Sequence, residues 1–113
     1  KWLARQERKR AADPRTFCYW DLIICDPPVF ASAGKRRAFH VEKQWPELAR
    51  QIRLLLSERG VALFANNHRS GSTSFYLQEL QKHFRIVALL APPMDFPVIA
   101  GEPEEVRIYW CEL

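Results

Sequence analysis

The sequence has few of the features that mark several large classes of protein. Glycine occupies four of the 113 positions, and no two glycines form a Gly-x-Gly pair. No apolar run approaches the ~20 residues of a membrane-spanning helix, and no charged segment precedes an apolar stretch as in a secretory signal. We therefore expect a chain that does not cross a membrane, and no secretory signal is visible in it.

Cysteine is also scarce, and its spacing excludes two kinds of small domain. Cys18, Cys25 and Cys111 are odd in number and far apart, which argues against both a disulfide framework and a zinc site. The three histidines show no metal-ligand spacing either. These absences predict a protein without metal, in a reducing cytoplasm.

Positive charge, in contrast, is abundant and grouped. The net charge is +4, with one group of cations in the first 15 residues and a second group at Lys35, Arg36 and Arg37. Such groups suit the phosphate backbone of a nucleic acid. A solvated helix face followed by a polar loop would explain the same charges.

The apolar pattern predicts a single α/β domain. Helices are predicted over residues 2–10, 46–59 and 73–84, with Pro46 in a first turn and Gly60 as a stop. Continuous apolar runs predict buried strands over 21–25, 61–65, 85–90 and 106–111. Strands joined through helices should be parallel, and the last two, joined without a helix, antiparallel. The order indicates half of a sheet, with the other half upstream.

The chemistry is predicted at the carboxyl end of the first strand, where open α/β sheets bind ligands. The segment Asp26-Pro27-Pro28-Val29-Phe30 follows that strand directly. Two prolines stiffen the turn and remove two backbone donors. Carbonyl and carboxylate oxygens could accept hydrogen bonds from a flat base, and Phe30 could stack on it. Alternatively, the segment is a structural turn with Phe30 in the core.

The stretch from Trp20 to Ala31 resembles motif IV of the ribosomal RNA methyltransferases typified by RlmI and RlmK. The resemblance continues through a basic loop, a helix, the turn at Gly60-Val61 and the pair Asn66-Asn67, and it ends at 92–97. It implies the carboxy-terminal half of a Rossmann-like class I methyltransferase sheet, with S-adenosylmethionine as cofactor and ribosomal RNA as partner. The implied catalytic residues are Asp26, Pro27, Pro28 and Phe30. The implied substrate-binding residues are Lys35, Arg36, Arg37, Asn66, Asn67, Asp95 and Phe96.

By the same resemblance, the glycine-rich turn that binds the cofactor is missing. Residues 1–113 would then be a partial domain in which Asp26 alone touches the methionine end of the cofactor. An exposed sheet edge and apolar face are expected, so the isolated chain should be inactive and could form a homodimer.

The residues after the second strand bear on the target atom. Cytosine C5 methylation needs a thiolate nucleophile, which the RlmI branch carries at this strand end. Asn66 and Asn67 stand there instead and resemble the RlmK branch, which methylates guanine N7. Cys25 and Cys111 are expected to be buried core residues. The alternative targets of methylation are cytosine C5 and an exocyclic amine. The alternative functions of the chain are a catalytically silent RNA-binding module and a protein-interaction domain.

Overall fold

The computed structural model describes residues 1–27, 41–66, 73–91 and 107–113. Three helices lie in this part of the chain: α1 (Trp2–Ala12), α2 (Val41–Leu55) and α3 (Thr73–Gln81). Four strands accompany them: β1 (Trp20–Cys25), β2 (Leu56–Asn66), β3 (Ile86–Leu90) and β4 (Arg107–Glu112). The predicted order of helices and strands is therefore confirmed.

The four strands form one mixed sheet with the order β1-β2-β4-β3. β1 and β2 are parallel, as expected of strands joined through a helix. β4 lies between β2 and β3 and runs antiparallel to both, so β3 has the same direction as β1 and β2. The predicted α/β class and the predicted antiparallel final pair are both correct.

The core lies between one face of the sheet and the helices, and Trp45 of α2 is at its centre. This indole is fully buried, and its ring centroid lies 5.0 Å from that of Tyr76, 5.4 Å from that of Phe64 and 6.1 Å from that of Tyr109. Its Nε1 donates a hydrogen bond of 3.3 Å to the carbonyl oxygen of Tyr76. Tilted and edge-to-face rings of this kind stabilise a core beyond their burial alone. Trp45 thus joins α2, α3, β2 and β4.

No helix in the described part of the chain covers the other face of the sheet. On β1, Leu22 is 54% exposed and Ile24 is 66% exposed, values far above those of the core. The apolar surface extends from β1 across β2 to β4, because Ile24 is paired with Leu63 and Leu63 with Trp110. An apolar surface of this extent is typical of a face that another part of a protein covers.

The sequence prediction was wrong at the junction of α2 and β2. α2 begins at Val41, so Pro46 lies inside the helix rather than in its first turn. The buried Trp45 anchors this turn through packing, which outweighs the proline signal. α2 ends at Leu55 and β2 begins at the next residue, so Gly60 lies within a strand and does not stop the helix.

Gly60 is required instead by the close approach of β1. A Cβ atom at this position would lie 2.7 Å from Cγ of Leu56 and 2.9 Å from the carbonyl oxygen of Trp20. The register of β1 and β2 shifts here, between Trp20 and Leu22. A glycine inside a strand often marks such a bulge.

The remaining predicted boundaries differ from the observed ones by at most three residues, apart from the longer β2. The largest difference is at the end of α3, which stops at Gln81 rather than at Phe84. The backbone N–H groups of His83 and Phe84 still donate to the carbonyl of Leu80, which brings the buried Phe84 back to the core. Among the described helices, none has the length and apolar character needed to cross a membrane.

Candidate functional site

Three polar residues lie at one edge of the sheet, where β1 and β2 end and β4 begins. β1 ends with Cys25 beside Phe64, so Asp26 leaves the sheet near the end of β2. The last residue of β2, Asn66, is paired across the ladder with Arg107, the first residue of β4. This carboxyl edge is the place where open α/β sheets bind their ligands.

The turn after β1 keeps its acid at the surface and its first proline inside. Asp26 is exposed and Pro27 is buried. Because Pro27 has no N–H and a fixed φ, its burial leaves no unpaired donor and holds the carboxylate close to the strand end. The position predicted for Asp26 at the end of β1 is therefore correct.

The rest of the predicted site lies outside the described residues. Three of its members, Asp26, Pro27 and Asn66, are in the described part of the chain. The other eight are outside it: Pro28, Phe30, Lys35, Arg36, Arg37, Asn67, Asp95 and Phe96. Their predicted roles stay predictions.

Asn66 is buried rather than exposed at the strand end. It is 2% exposed and follows Phe64 and Ala62 in the alternation that faces the helices. Its carboxamide therefore lies in the layer that also holds Arg107. In the described part of the chain, the buried polar or charged residues are Asn66 and Arg107.

Arg107 is a residue that the sequence reasoning did not single out. It is 6% exposed, and its guanidinium carbon lies 5.9 Å from the centroid of the Tyr76 ring. Burying a charge is costly unless neighbouring groups compensate it, and a ring face supplies part of that compensation. The alternation of the strand indicates its burial, because Arg107 lies on the same inward face of β4 as Tyr109 and Cys111.

Neither cysteine of the sheet is a ready nucleophile. Burial, and next the negative charge of Asp26, raises the pKa of the Cys25 thiol to about 12. Burial raises the pKa of the Cys111 thiol to about 12 as well. Cys25 packs against the core, and Cys111 is fully buried within it. Both thiols stay protonated at neutral pH. The prediction of a core residue is confirmed for Cys111 and in part for Cys25, which is half-buried.

The histidines add no second centre in the described part of the chain. His83 follows α3, and burial is the main cause that lowers its pKa. His40 and His68 lie outside the described residues. In the ranges that the structure describes, no group of three His, Cys, Asp or Glu side chains could hold a metal ion.

With this geometry in place, the fold can be compared with known proteins. No protein-family model matches the chain. The solved structure of SMU.776, an inferred methyltransferase complexed with SAH, superposes with a TM-score of 0.75 at 24% identity, over 99% of this chain and 29% of that chain. An inferred SAM-dependent methyltransferase from Streptococcus mutans gives a TM-score of 0.73 at 22% identity, over 100% of this chain and 29% of that chain. The fold is that of the S-adenosylmethionine-dependent methyltransferases.

The sequence comparisons point to a narrower group. YwbD of Bacillus subtilis, an inferred ribosomal RNA large subunit methyltransferase, is 28% identical over 92 residues, which are 75% of this chain and 23% of that protein. The ribosomal RNA large subunit methyltransferase K/L of Marinobacter nauticus is 31% identical over 96 residues, 83% of this chain and 12% of that protein. The resemblance to ribosomal RNA large-subunit methyltransferases is confirmed, and the chain spans less than a quarter of these two relatives.

Proposed function

We propose that this chain is the substrate-binding half of an S-adenosylmethionine-dependent methyltransferase that modifies a base of large-subunit ribosomal RNA. The observation that carries the proposal is the exposed Asp26 followed by the buried Pro27, at the carboxyl end of β1 in a methyltransferase fold. The names of the relatives support ribosomal RNA as the substrate. The SAH bound to a structural neighbour supports the cofactor.

The described residues fit one end of that cofactor. When bound, S-adenosylmethionine supplies an electrophilic methyl group. The exposed carboxylate of Asp26 suits the positively charged methionine end, and Pro27 keeps the backbone of the turn fixed. No Gly-x-Gly turn for the adenosine end occurs in the sequence. We propose that a separate cofactor half supplies this turn and packs on the apolar face formed by Leu22, Ile24, Leu63 and Trp110.

The target atom that we favour is N7 of guanine. Attack at cytosine C5 requires a thiolate, and the chain has three cysteines. Cys25 and Cys111 are packed in the core with raised pKa values, and Cys18 precedes β1, at the opposite end of this strand from Asp26. Guanine N7 carries a lone pair and no proton, so the protein needs only to orient the base against the methyl group.

One substrate modification tests the target atom. The complete methyltransferase that contains this chain would be assayed for transfer of a labelled methyl group to ribosomal RNA transcripts. Transcripts made with 7-deazaguanosine lack the N7 acceptor and should accept no label, whereas transcripts with guanosine should accept it. Label on both would exclude N7 and favour cytosine C5 or an exocyclic amine, and 5-fluorocytidine transcripts would then separate these two.

A second candidate is an RNA-binding module that retains the fold without catalysis. The grouped cations of the chain favour RNA binding and would serve such a module as well as an enzyme. Calorimetric titration of S-adenosylmethionine into the isolated chain and into the complete protein separates the candidates. Binding by the complete protein alone supports the enzyme, and binding by neither supports the silent module. Binding by the isolated chain would contradict the division into two halves.

A further inference from the structure

A second surface of the described chain has the chemistry of a nucleic-acid contact, and it lies away from the carboxyl edge. One stripe of α1 presents Trp2, Gln6 and Lys9, spaced four and three residues apart, and Asp13 follows as the residue that caps the helix. This spacing places them on one side of the helix, above the segment that leads into β1. Three of the four, Gln6, Lys9 and Asp13, line a cleft between α1 and that segment.

The cleft is open to solvent and partly aromatic. It has a volume of about 300 Å³, and its other lining residues are Thr16, Phe17, Cys18 and Trp20. The ring of Phe17 lies 5.6 Å from that of Trp20, and Trp20 lies 5.5 Å from Trp2. Trp2 remains 57% exposed. Aromatic faces beside solvent are stacking platforms for unpaired bases.

The helix beside this aromatic cluster carries several cations. α1 contains Arg5, Arg8, Lys9 and Arg10, and none of its residues is buried. The single acid of α1, Glu7, is engaged by Arg50 of α2 at 2.8 Å, so it neutralises a different cation. Arg10 places its guanidinium carbon 5.9 Å from the centroid of the Tyr19 ring. Basic and aromatic side chains are therefore interleaved on one surface, as in sites that bind single-stranded nucleic acid.

Asp13 lines the same cleft, but its carboxylate weakens the attraction of this surface for phosphate only slightly. Its carboxylate accepts hydrogen bonds from the backbone N–H groups of Arg15 and Thr16, at 3.2 and 3.3 Å. The acid thus closes the turn after α1 and has a structural partner. The cations of α1 outnumber it.

The cleft is separate from the candidate site. Trp20 opens β1 and Asp26 follows its last residue, so the two sites lie at opposite ends of the strand. A rise of about 3.3 Å per residue puts them on the order of 20 Å apart.

We propose that this cleft binds an unpaired nucleotide of the RNA, with its base against Phe17 and Trp20 and its phosphates beside Lys9 and the neighbouring arginines. The inference rests on the proposed function, because the ligand is a second segment of the same ribosomal RNA. Binding in the cleft increases the affinity for RNA and fixes the position of the RNA along the protein. The methyl transfer takes place at the other end of β1.

The binding test uses three variants of the complete methyltransferase and a short single-stranded RNA. Phe17→Leu should weaken binding by roughly 5- to 100-fold, because base stacking is lost. Lys9→Ala should reduce the slope of log affinity against log salt by about 0.7, the value for one phosphate contact on a single strand. Arg53→Ala removes an equal charge from an exposed position on α2 and should change neither quantity. Affinity for S-adenosylmethionine and the rate at saturating RNA should stay unchanged in all three.

Cys18 provides a direct measure of occupancy, because it is exposed and lines the cleft. Bound RNA should protect its thiol from iodoacetamide, as measured by mass spectrometry of the peptide that contains it. Equal alkylation with and without RNA, in a protein that methylates RNA, would overturn the inference and leave the proposed function standing. Protection without methylation would support the cleft and contradict the enzyme. A Cys18 that is unreactive before RNA is added would show that another part of the protein fills the cleft, and the inference would fail.

Discussion

Replacing Gly60 with alanine tests how strongly the close approach of β1 and β2 requires a residue without a side chain. The added Cβ would lie 2.7 and 2.8 Å from side-chain carbons of Leu56 and 2.9 Å from the carbonyl oxygen of Trp20. All three distances are too short for carbon. Leu56 is 3% exposed, so its side chain has little room to move away. Overpacking at such a site costs about 1–3 kcal/mol, so we expect Gly60→Ala to lower the free energy of unfolding by that amount.

The assay is urea and thermal unfolding of the wild type and the variant in the same polypeptide background. A loss of about 1 kcal/mol corresponds to a decrease in Tm of roughly 4 °C or more for a domain near this size. The double variant Gly60→Ala with Leu56→Ala supplies the control. Removing the leucine relieves two of the three contacts, so the double variant should lose less stability than the sum of the single variants. A Gly60→Ala protein within about 0.5 kcal/mol of the wild type would refute the close approach.

Three further predictions follow from the described surface and core. Ile24→Ser should reduce self-association of the isolated chain, measured by light scattering, because it removes apolar surface from a residue that is 66% exposed; unchanged scattering would argue against this face as the contact. At pH 8.5, iodoacetamide should modify Cys18 well before Cys25, whose pKa is raised to about 12; equal rates would contradict the burial of Cys25. Arg50→Gln should cost at most about 1 kcal/mol at pH 7, because Arg50 is 40% exposed. The hydrogen bond from Arg50 lowers the pKa of Glu7, so the stability that Arg50 contributes is present above the ordinary pKa of 4.5 and should be lost as the pH falls below it. Urea titrations of both proteins over this pH range measure the effect. A difference in stability that persists at low pH would assign it to packing.

The sequence predicted the architecture well because strands buried on at least one face have a strong apolar signature. The run Leu22-Ile23-Ile24 lies within β1, and Val61 to Ala65 lies within β2. The topology followed from the connections, since a helix between strands requires a crossover and hence a parallel pair. The prediction is wrong locally: the proline and glycine signals place the limits of a helix near Pro46 and Gly60, although each residue lies inside an element.

Those two failures have the same physical cause. The signals of proline and glycine describe the local backbone, whereas the observed limits depend on tertiary packing. The burial of Trp45 fixes the turn before Pro46, and the approach of the Trp20 carbonyl requires a residue without a side chain at position 60. Neither contact can be inferred from residues that are neighbours in the sequence.

The candidate site could be predicted in part. The sequence places Asp26 correctly because it directly follows an apolar run, and open α/β sheets bind ligands at the carboxyl ends of their strands. Arg107 was overlooked because a single cation at the start of an apolar strand is commonly a solvated end. Its burial follows from pairing with Asn66, a contact between residues far apart along the chain.

The position of β4 also determines when this part of the protein can fold. β4 is the last described strand in the sequence, yet it lies between β2 and β3 and is hydrogen-bonded to both. During synthesis β2 and β3 emerge first, and neither can form its native pairing with β4 until Arg107–Glu112 has left the ribosome. A chain interrupted before these residues would lack Tyr109 and Cys111 from the core and leave two strand edges open. The sheet can therefore be completed only after β4 has been synthesised. Products truncated before β4 should be degraded by proteases as unfolded chains.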